Sequence, residues 1–372
     1  MTNATTKAPV MRAGERLWGI EACRGFAALL VVFVHSGMLN EQAVQSGELD
    51  FQINKMFQVG RTGVDFFFVL SGFIIYYVHK VDIGRPDRFF RYVGRRLTRL
   101  VPAYWIITGL FVVLTYFSPT ADGREQELSV IVRSLLFIPQ PDGPVVSVGW
   151  SLEHEMFFYI MFGIMILSRR IGIILWTIWL GAVAWRYLVE PIPHPFRYDW
   201  FGFQLEFFIG MIVAEIILRG WIKYSIIAIV IGVGGFIFGF YMDISHEYAT
   251  NSLLGKVTFG LASGVLIYGV AGMDLYRRWT VPYVFRLVGD STYSLYLIHG
   301  MILIILGEIL QRLYIYGIIH EAGTMIVAIG AAVTGGVIFA QVVEKPAIGF
   351  MRHMLQSRIP ALFKRKRVTG PT

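Results

Sequence analysis

Two residues in the first apolar stretch of this chain could do chemistry together. Leu17–Leu39 reads LWGIEACRGFAALLVVFVHSGML, long enough to cross a bilayer, and carries Arg24 and His35 eleven residues apart. At 100° per residue that spacing makes three turns plus about 20°, so both side chains share one helix face, about 16 Å apart along the axis. A fixed cation and a proton-transfer group on one stripe inside lipid point to a functional site that faces protein. Histidine can take a proton from a hydroxyl, and arginine can hold a phosphate.

Two carboxylates are candidates to orient His35. Asp65 lies early in the second apolar stretch, in GVDFFFVLSGF, and Glu155 early in the fourth, in GWSLEHEMFFY. If both stretches enter from outside, the three groups meet in the outer half of the bilayer, where a carboxylate would fix the tautomer of His35 and raise its basicity. Snorkelling near helix ends is the plainer reading of the two acids. No metal is expected: Glu153, His154 and Glu155 point about 100° apart on one helix, and no His-x-x-x-His or Glu-x-x-His pair accompanies them. His299, mid-way along the ninth stretch, could serve as a second polar group, but a structural hydrogen-bonding role is the better reading. Cys23 and Ser71 are conceivable acyl acceptors, but neither has a base at a recognisable spacing, so packing is the better reading. Arg95, Arg96 and Arg99 crowd the entry to the third stretch. Topology and anionic lipid account for such charge, yet adjacent arginines on different sides of a helix, together with Arg24, also suggest a path for a phosphate-rich cytoplasmic donor.

These residues need a scaffold in lipid. Of 372 residues, 55% are hydrophobic and 16% charged, well below the charge of a soluble chain. The apolar runs are near 20 residues rather than ten-residue alternations, so the chain reads as an all-α, polytopic membrane protein. About ten spans fit, near 17–39, 59–79, 100–118, 150–168, 171–188, 199–218, 222–242, 251–273, 288–311 and 322–344. With both termini inside, the inner segments hold 24 of the 33 Lys and Arg, which sets an N-in, C-in orientation. The +8 charge therefore reflects topology rather than nucleic-acid binding. Residues 1–16 read as a cytoplasmic segment without a secretory signal, 17–346 as the membrane domain, and 347–372 as a basic cytoplasmic tail whose KRKR at 364–367 contacts lipid. Arg85–Arg99 reads as a basic amphipathic helix leading into span three after Pro102, and Leu128–Ile138 as a short apolar segment along the outer surface.

Several of these motifs occur together in one family. ACRGFAALLVVFVH with its Arg24-x10-His35 spacing, GVDFFFVLSGF, RRLTRLVPAYW, GWSLEHEMFFY and GDSTYSLYLIH resemble, in order and spacing over about residues 17–346, the acyltransferase-3 family of bacterial membrane O-acyltransferases. The WSLxxExxFY form is most similar to that of exopolysaccharide and cell-surface polysaccharide acetyltransferases. The resemblance implies a ten-helix domain in the bacterial inner membrane that moves acetyl groups from cytoplasmic acetyl-CoA to hydroxyls of an extracytoplasmic or lipid-linked polysaccharide, beside the polysaccharide synthesis machinery. It implies functional roles for Arg24, His35, Arg95, Arg96 and Glu155. His35 is then the general base, Glu155 or Asp65 its partner, and Arg95, Arg96 and Arg99 the docking site for the donor. Transfer could be direct or pass through an acyl-enzyme. Many members carry a periplasmic esterase-like domain after the last span; this chain ends about 25 residues beyond it, so it is expected to act alone or hand over to a separate protein. The competing reading is a proton-coupled transporter or flippase of a lipid-linked or anionic sugar, with His35, Asp65 and Glu155 as a relay.

Overall fold

The apolar composition demands elements that satisfy their own backbone in lipid, and helices do so within one segment. A computed structural model describes residues 16–44, 59–117, 123–188, 202–245, 252–312 and 321–358. Among them no strand occurs, and the helices are α1 (Trp18–Val44), α2 (Thr62–His79), α3 (Phe89–Thr115), the short α4 (Leu128–Leu135), α5 (Trp150–Leu167), α6 (Arg169–Leu188), α7 (Gly202–Leu218), α8 (Ser225–Ile244), α9 (Leu253–Leu275), the short α10 (Tyr283–Asp290), α11 (Thr292–Arg312), α12 (Glu321–Phe339) and α13 (Lys345–Arg358). The basic stretch before span three and the span itself are one continuous helix with Pro102 inside it. The KRKR cluster and residues 1–15 lie outside the described residues.

Eight helical stretches among the described residues are long and apolar enough to cross a membrane. Their outer faces agree: α8 exposes Ile226, Ile227, Val230, Ile231, Ile237 and Phe238, a surface suited to hydrocarbon and not to water. The chain is an integral membrane protein. Helices α6 and α7, counted among the ten expected spans, are not in that set of eight; both border residues 189–201, which lie outside the described residues.

Small residues set how closely the helices pack, as expected where lipid tails compete with apolar side chains. A Cβ on Gly72 would fall 2.0 Å from the Phe207 carbonyl oxygen, and one on Gly210 would fall 1.9 Å from that of Val69. Helices α2 and α7 therefore cross backbone to backbone. They run in the same direction, because Phe68 meets Phe203 and Phe207 near their starts and Tyr76 reaches Glu215 near their ends. Helix α9 joins them in parallel, with Lys256 beside Asp65 and Gly264 beside Val213. At the centre, α1 is wrapped by α2, α9, α10, α11 and α12.

A clasp joins the segment before α1 to the start of α13. Asp290 accepts from Arg16 Nη1 and pairs with Lys345 Nζ, each at 2.6 Å. Burial pushes this carboxyl up, but the bonds from Lys345 and Arg16 more than offset that and hold it below the ordinary carboxylate range.

Two expectations follow. Gly72→Leu should destabilise the α2–α7 crossing by at least about 1–3 kcal/mol, read as a lower unfolding temperature in detergent. Gly109→Ala, at a glycine with nothing within 4 Å, should not lower it. Asp290→Asn should remove about 0–1 kcal/mol per pair at neutral pH. A carboxyl depressed in the folded state stabilises above its unfolded value and ceases to as pH falls through its folded value. The gap between variant and wild type should therefore close on acidification through and below the ordinary aspartate range.

Candidate active site

Helix α1 presents Arg24 and His35 on one side, and α11 supplies the partner of His35. Gly289, at the end of α10, lies against the Glu21 carbonyl and Gly25 of α1. Ten residues further along each chain, His35 meets His299 with ring centroids 5.0 Å apart. The close glycine contact thus brings two parallel segments into register for the histidines to meet.

Backbone carbonyls decide the protonation of both rings. His35 Nδ1 lies 2.8 Å from the Val31 carbonyl and 3.3 Å from His299 Nε2. His299 Nδ1 lies 3.1 Å from the Leu295 carbonyl. A carbonyl only accepts, so each Nδ1 carries the hydrogen. His299 Nε2 then offers its lone pair to the His35 Nδ1–H, and the neutral His35 ring keeps its own lone pair on Nε2. That nitrogen is the one able to take a proton from a substrate.

A second assembly lies nearer the end of the bundle where α1 and α3 begin. A vestibule of about 810 Å³ opens there, lined by Arg24, Arg95, Arg96 and Arg99 among others. Arg24, Arg96, Arg99 and Tyr293 also line a narrower chamber of about 90 Å³, so the two spaces meet at these side chains. Arg96 is buried, with its guanidinium 5.5 Å from the Tyr159 ring and 5.9 Å from that of Tyr92. Arg24 is held by Glu21 at 2.7 Å. Glu344, buried in the π-helical stretch Ala340–Glu344, accepts from Ser294 Oγ and also faces the vestibule. The chamber extends to Tyr296, whose ring centroid is 6.0 Å from that of His299.

The two expected carboxylate partners sit elsewhere. Glu155 accepts from Ser71 Oγ at 3.0 Å and from the Tyr159 hydroxyl, in the chamber with Arg24, Arg96 and Arg99. The reason lies in the preceding segment. Gln140, Val145, Val146 and Val148 are buried, and Gly149 packs against the Tyr104 ring, so the loop dips into the protein. Helix α5 therefore starts deep, and Glu155 falls at the level of the arginines. Asp65 is paired with Lys256 in a buried cluster, with Glu206 3.6 Å from the same Nζ and the Phe203 ring beneath it. The meeting of His35, Asp65 and Glu155 expected from the sequence gives way to a His35–His299 pair. His154 stays a core residue, its Nδ1 on the Trp150 carbonyl and its ring against Phe68 and Phe203.

Sequence reasoning named His299 but gave it a structural role, and passed over Glu206, Tyr293 and Glu344. The available signal was depth, since ionisable residues inside apolar spans need partners in other spans.

Residues 17–342 match the model of the acyltransferase domain of the acyltransferase-3 family, so the chain belongs to that family. It is also similar to the exopolysaccharide production protein ExoZ of Rhizobium meliloti (strain 1021), with 28% identity over 320 residues that cover 81% of this chain and 90% of that protein. No solved structure matches the chain.

If the His299 lone pair holds the His35 ring in its working orientation, His299→Ala should lower acyl transfer with little change in donor affinity. His299→Gln, which can still accept from the His35 Nδ1–H, should restore part of the turnover. Steady-state kcat and KM for the three proteins check this.

Proposed function

We propose, with membership of the acyltransferase-3 family as the premise, that this chain is an O-acetyltransferase of the bacterial inner membrane. It takes acetyl groups from cytoplasmic acetyl-CoA and passes them to hydroxyls of an extracytoplasmic or lipid-linked polysaccharide. In this reading the chain has ten spans and both termini inside. What supports the count is the parallel run of α2 and α7: with α3 and α5 both long and apolar enough to cross between them, two spans in one direction require α6 to cross as well. What supports the orientation is the excess of Lys and Arg in the segments that would face inward. The vestibule then opens to the cytoplasm.

One observation carries the reading. An arginine-lined vestibule narrows into a chamber walled by Tyr296, whose ring centroid lies 6.0 Å from that of His299, the partner of His35. The phosphates of the donor bind Arg95, Arg96 and Arg99, and its flexible arm passes Arg24 toward His35. The acceptor hydroxyl loses its proton to His35 Nε2 as its oxygen attacks the thioester carbonyl. The carbon–sulfur bond breaks, and the thiolate takes the proton back from His35 and leaves as free coenzyme A. Glu155 lines the same chamber as Arg24, Arg96 and Arg99, and its charge there favours the arginines rather than His35. Proton transfer to a positioned base contributes about 10² to 10⁴ in rate, and alignment of the two reactants contributes much of the rest. The similarity to ExoZ, an exopolysaccharide production protein by its name, supports a polysaccharide as acceptor.

The reading predicts that His35→Ala lowers acetyl transfer at least about 100-fold while the purified protein still binds acetyl-CoA. Arg96→Ala with Arg99→Ala should raise the KM for acetyl-CoA, and wild-type binding should weaken as salt rises. Transfer of radiolabelled acetyl groups to polysaccharide, with parallel binding measurements, decides it. Wild-type transfer by His35→Ala removes His35 as the base, and no binding of acetyl-CoA by the wild type favours the transporter instead.

A further inference from the structure

The vestibule has a second basic wall, formed by α13. Lys345, Ile348, Arg352 and Gln356 all line it, and their spacing puts them on one face of α13. Across from them, Arg95, Arg96 and Arg99 line it from α3, which packs against α13. The match to the family ends at residue 342, so this wall lies beyond it. The sequence reading gave 347–372, and Arg352 with it, to a basic cytoplasmic tail.

The two cations of α13 are not equivalent. Lys345 is committed, with Asp290 at 2.6 Å and Gln341 at 2.9 Å. Arg352 is exposed, two turns and about 10.5 Å further out, and forms no ion pair among the described residues. Seven Arg and Lys side chains line the vestibule against three carboxylates, Glu21, Asp290 and Glu344. That excess suits a ligand with about four negative charges, as a nucleotide with one diphosphate and one phosphomonoester carries. The arginines of α3 lead inward to the chamber, so the diphosphate and arm belong on their side. Arg352 lies at the rim, where the nucleotide end would remain, and its planar fork matches a phosphomonoester bidentately.

We propose that α13 forms the outer wall of the donor site and that Arg352 binds the 3′-phosphate of coenzyme A, so that the enzyme prefers donors that carry it. This rests on the donor reading above and names the subsite that selects the nucleotide end. An anionic lipid headgroup offers the same phosphate chemistry at this height, and the experiment separates the two.

The full-length protein in nanodiscs of phosphatidylcholine is used to measure displacement of radiolabelled acetyl-CoA by coenzyme A and by 3′-dephospho-coenzyme A. A charge-assisted bidentate contact corresponds to a preference of about tenfold or more for coenzyme A in the wild type. Arg352→Gln should abolish that preference by weakening coenzyme A alone, and Arg352→Lys should keep part of it. Equal weakening of both competitors, or a wild-type ratio in Arg352→Gln, overturns the proposal. A wild-type ratio combined with an altered response to added phosphatidylglycerol would make Arg352 a headgroup anchor instead. If wild-type protein binds no acetyl-CoA at all, the donor reading fails first and this subsite with it.

Discussion

A charge or hydrogen-bonding group inside lipid must find its partners within the protein, and that constraint organises this structure around α1. Arg24 and His35 cannot face hydrocarbon, so α1 occupies the centre of the bundle with five helices packed on it. Elements around it then bring polar groups toward those two residues. Helix α11 brings His299 and Tyr293, α3 brings the arginines next to Arg24, and the π-helical stretch after α12 brings Glu344. A π-helical segment commonly marks such a site, and here it turns a carboxylate toward a vestibule otherwise dominated by cations.

The same rule explains a charged cluster remote from the histidines. Asp65, Glu206 and Lys256 lie near the starts of three parallel helices, α2, α7 and α9, and are almost fully buried. Helix N-termini favour carboxylates, and Lys256 offsets two of them at once while its ammonium rests 3.6 Å from the Phe203 ring centroid. Removing one member would leave an unpaired charge in the membrane interior, far more damaging than replacing the whole set with apolar residues. The cluster therefore holds three helices in register without touching the chamber, whose walls include α2.

The division of labour along the bundle has a chemical logic. Phosphates are best held where water is still present, and a proton is best moved where it is scarce. The arginines occur along the vestibule and its junction with the chamber, while the histidine pair is set deeper, with rings confined by Val31, Leu295 and Tyr296. In the proposed reading, a long flexible donor would join the two ends. The narrowness of the chamber, about 90 Å³, leaves room for a slender arm and little else.

Much of this was legible in the sequence. Segment length and low charge fixed the membrane class, helical spacing alone put Arg24 and His35 on one face, and the crowding of Arg95, Arg96 and Arg99 marked one mouth of the site. These are local properties, set by 100° and 1.5 Å per residue within single helices. Depth relative to other helices is not local. Glu155 reads as an outer residue because it comes early in a span, but the buried segment 140–149 lowers the start of α5 and carries it to the arginines. Asp65 and Lys256 lie 191 residues apart, and nothing within either span announces the other. His299 looked structural because its own helix offers it only a backbone carbonyl; the glycine contact between Gly289 and α1 gives it His35. Which polar groups meet in lipid depends on helix offsets set by backbone contacts across the bundle, and only the tertiary structure decides those.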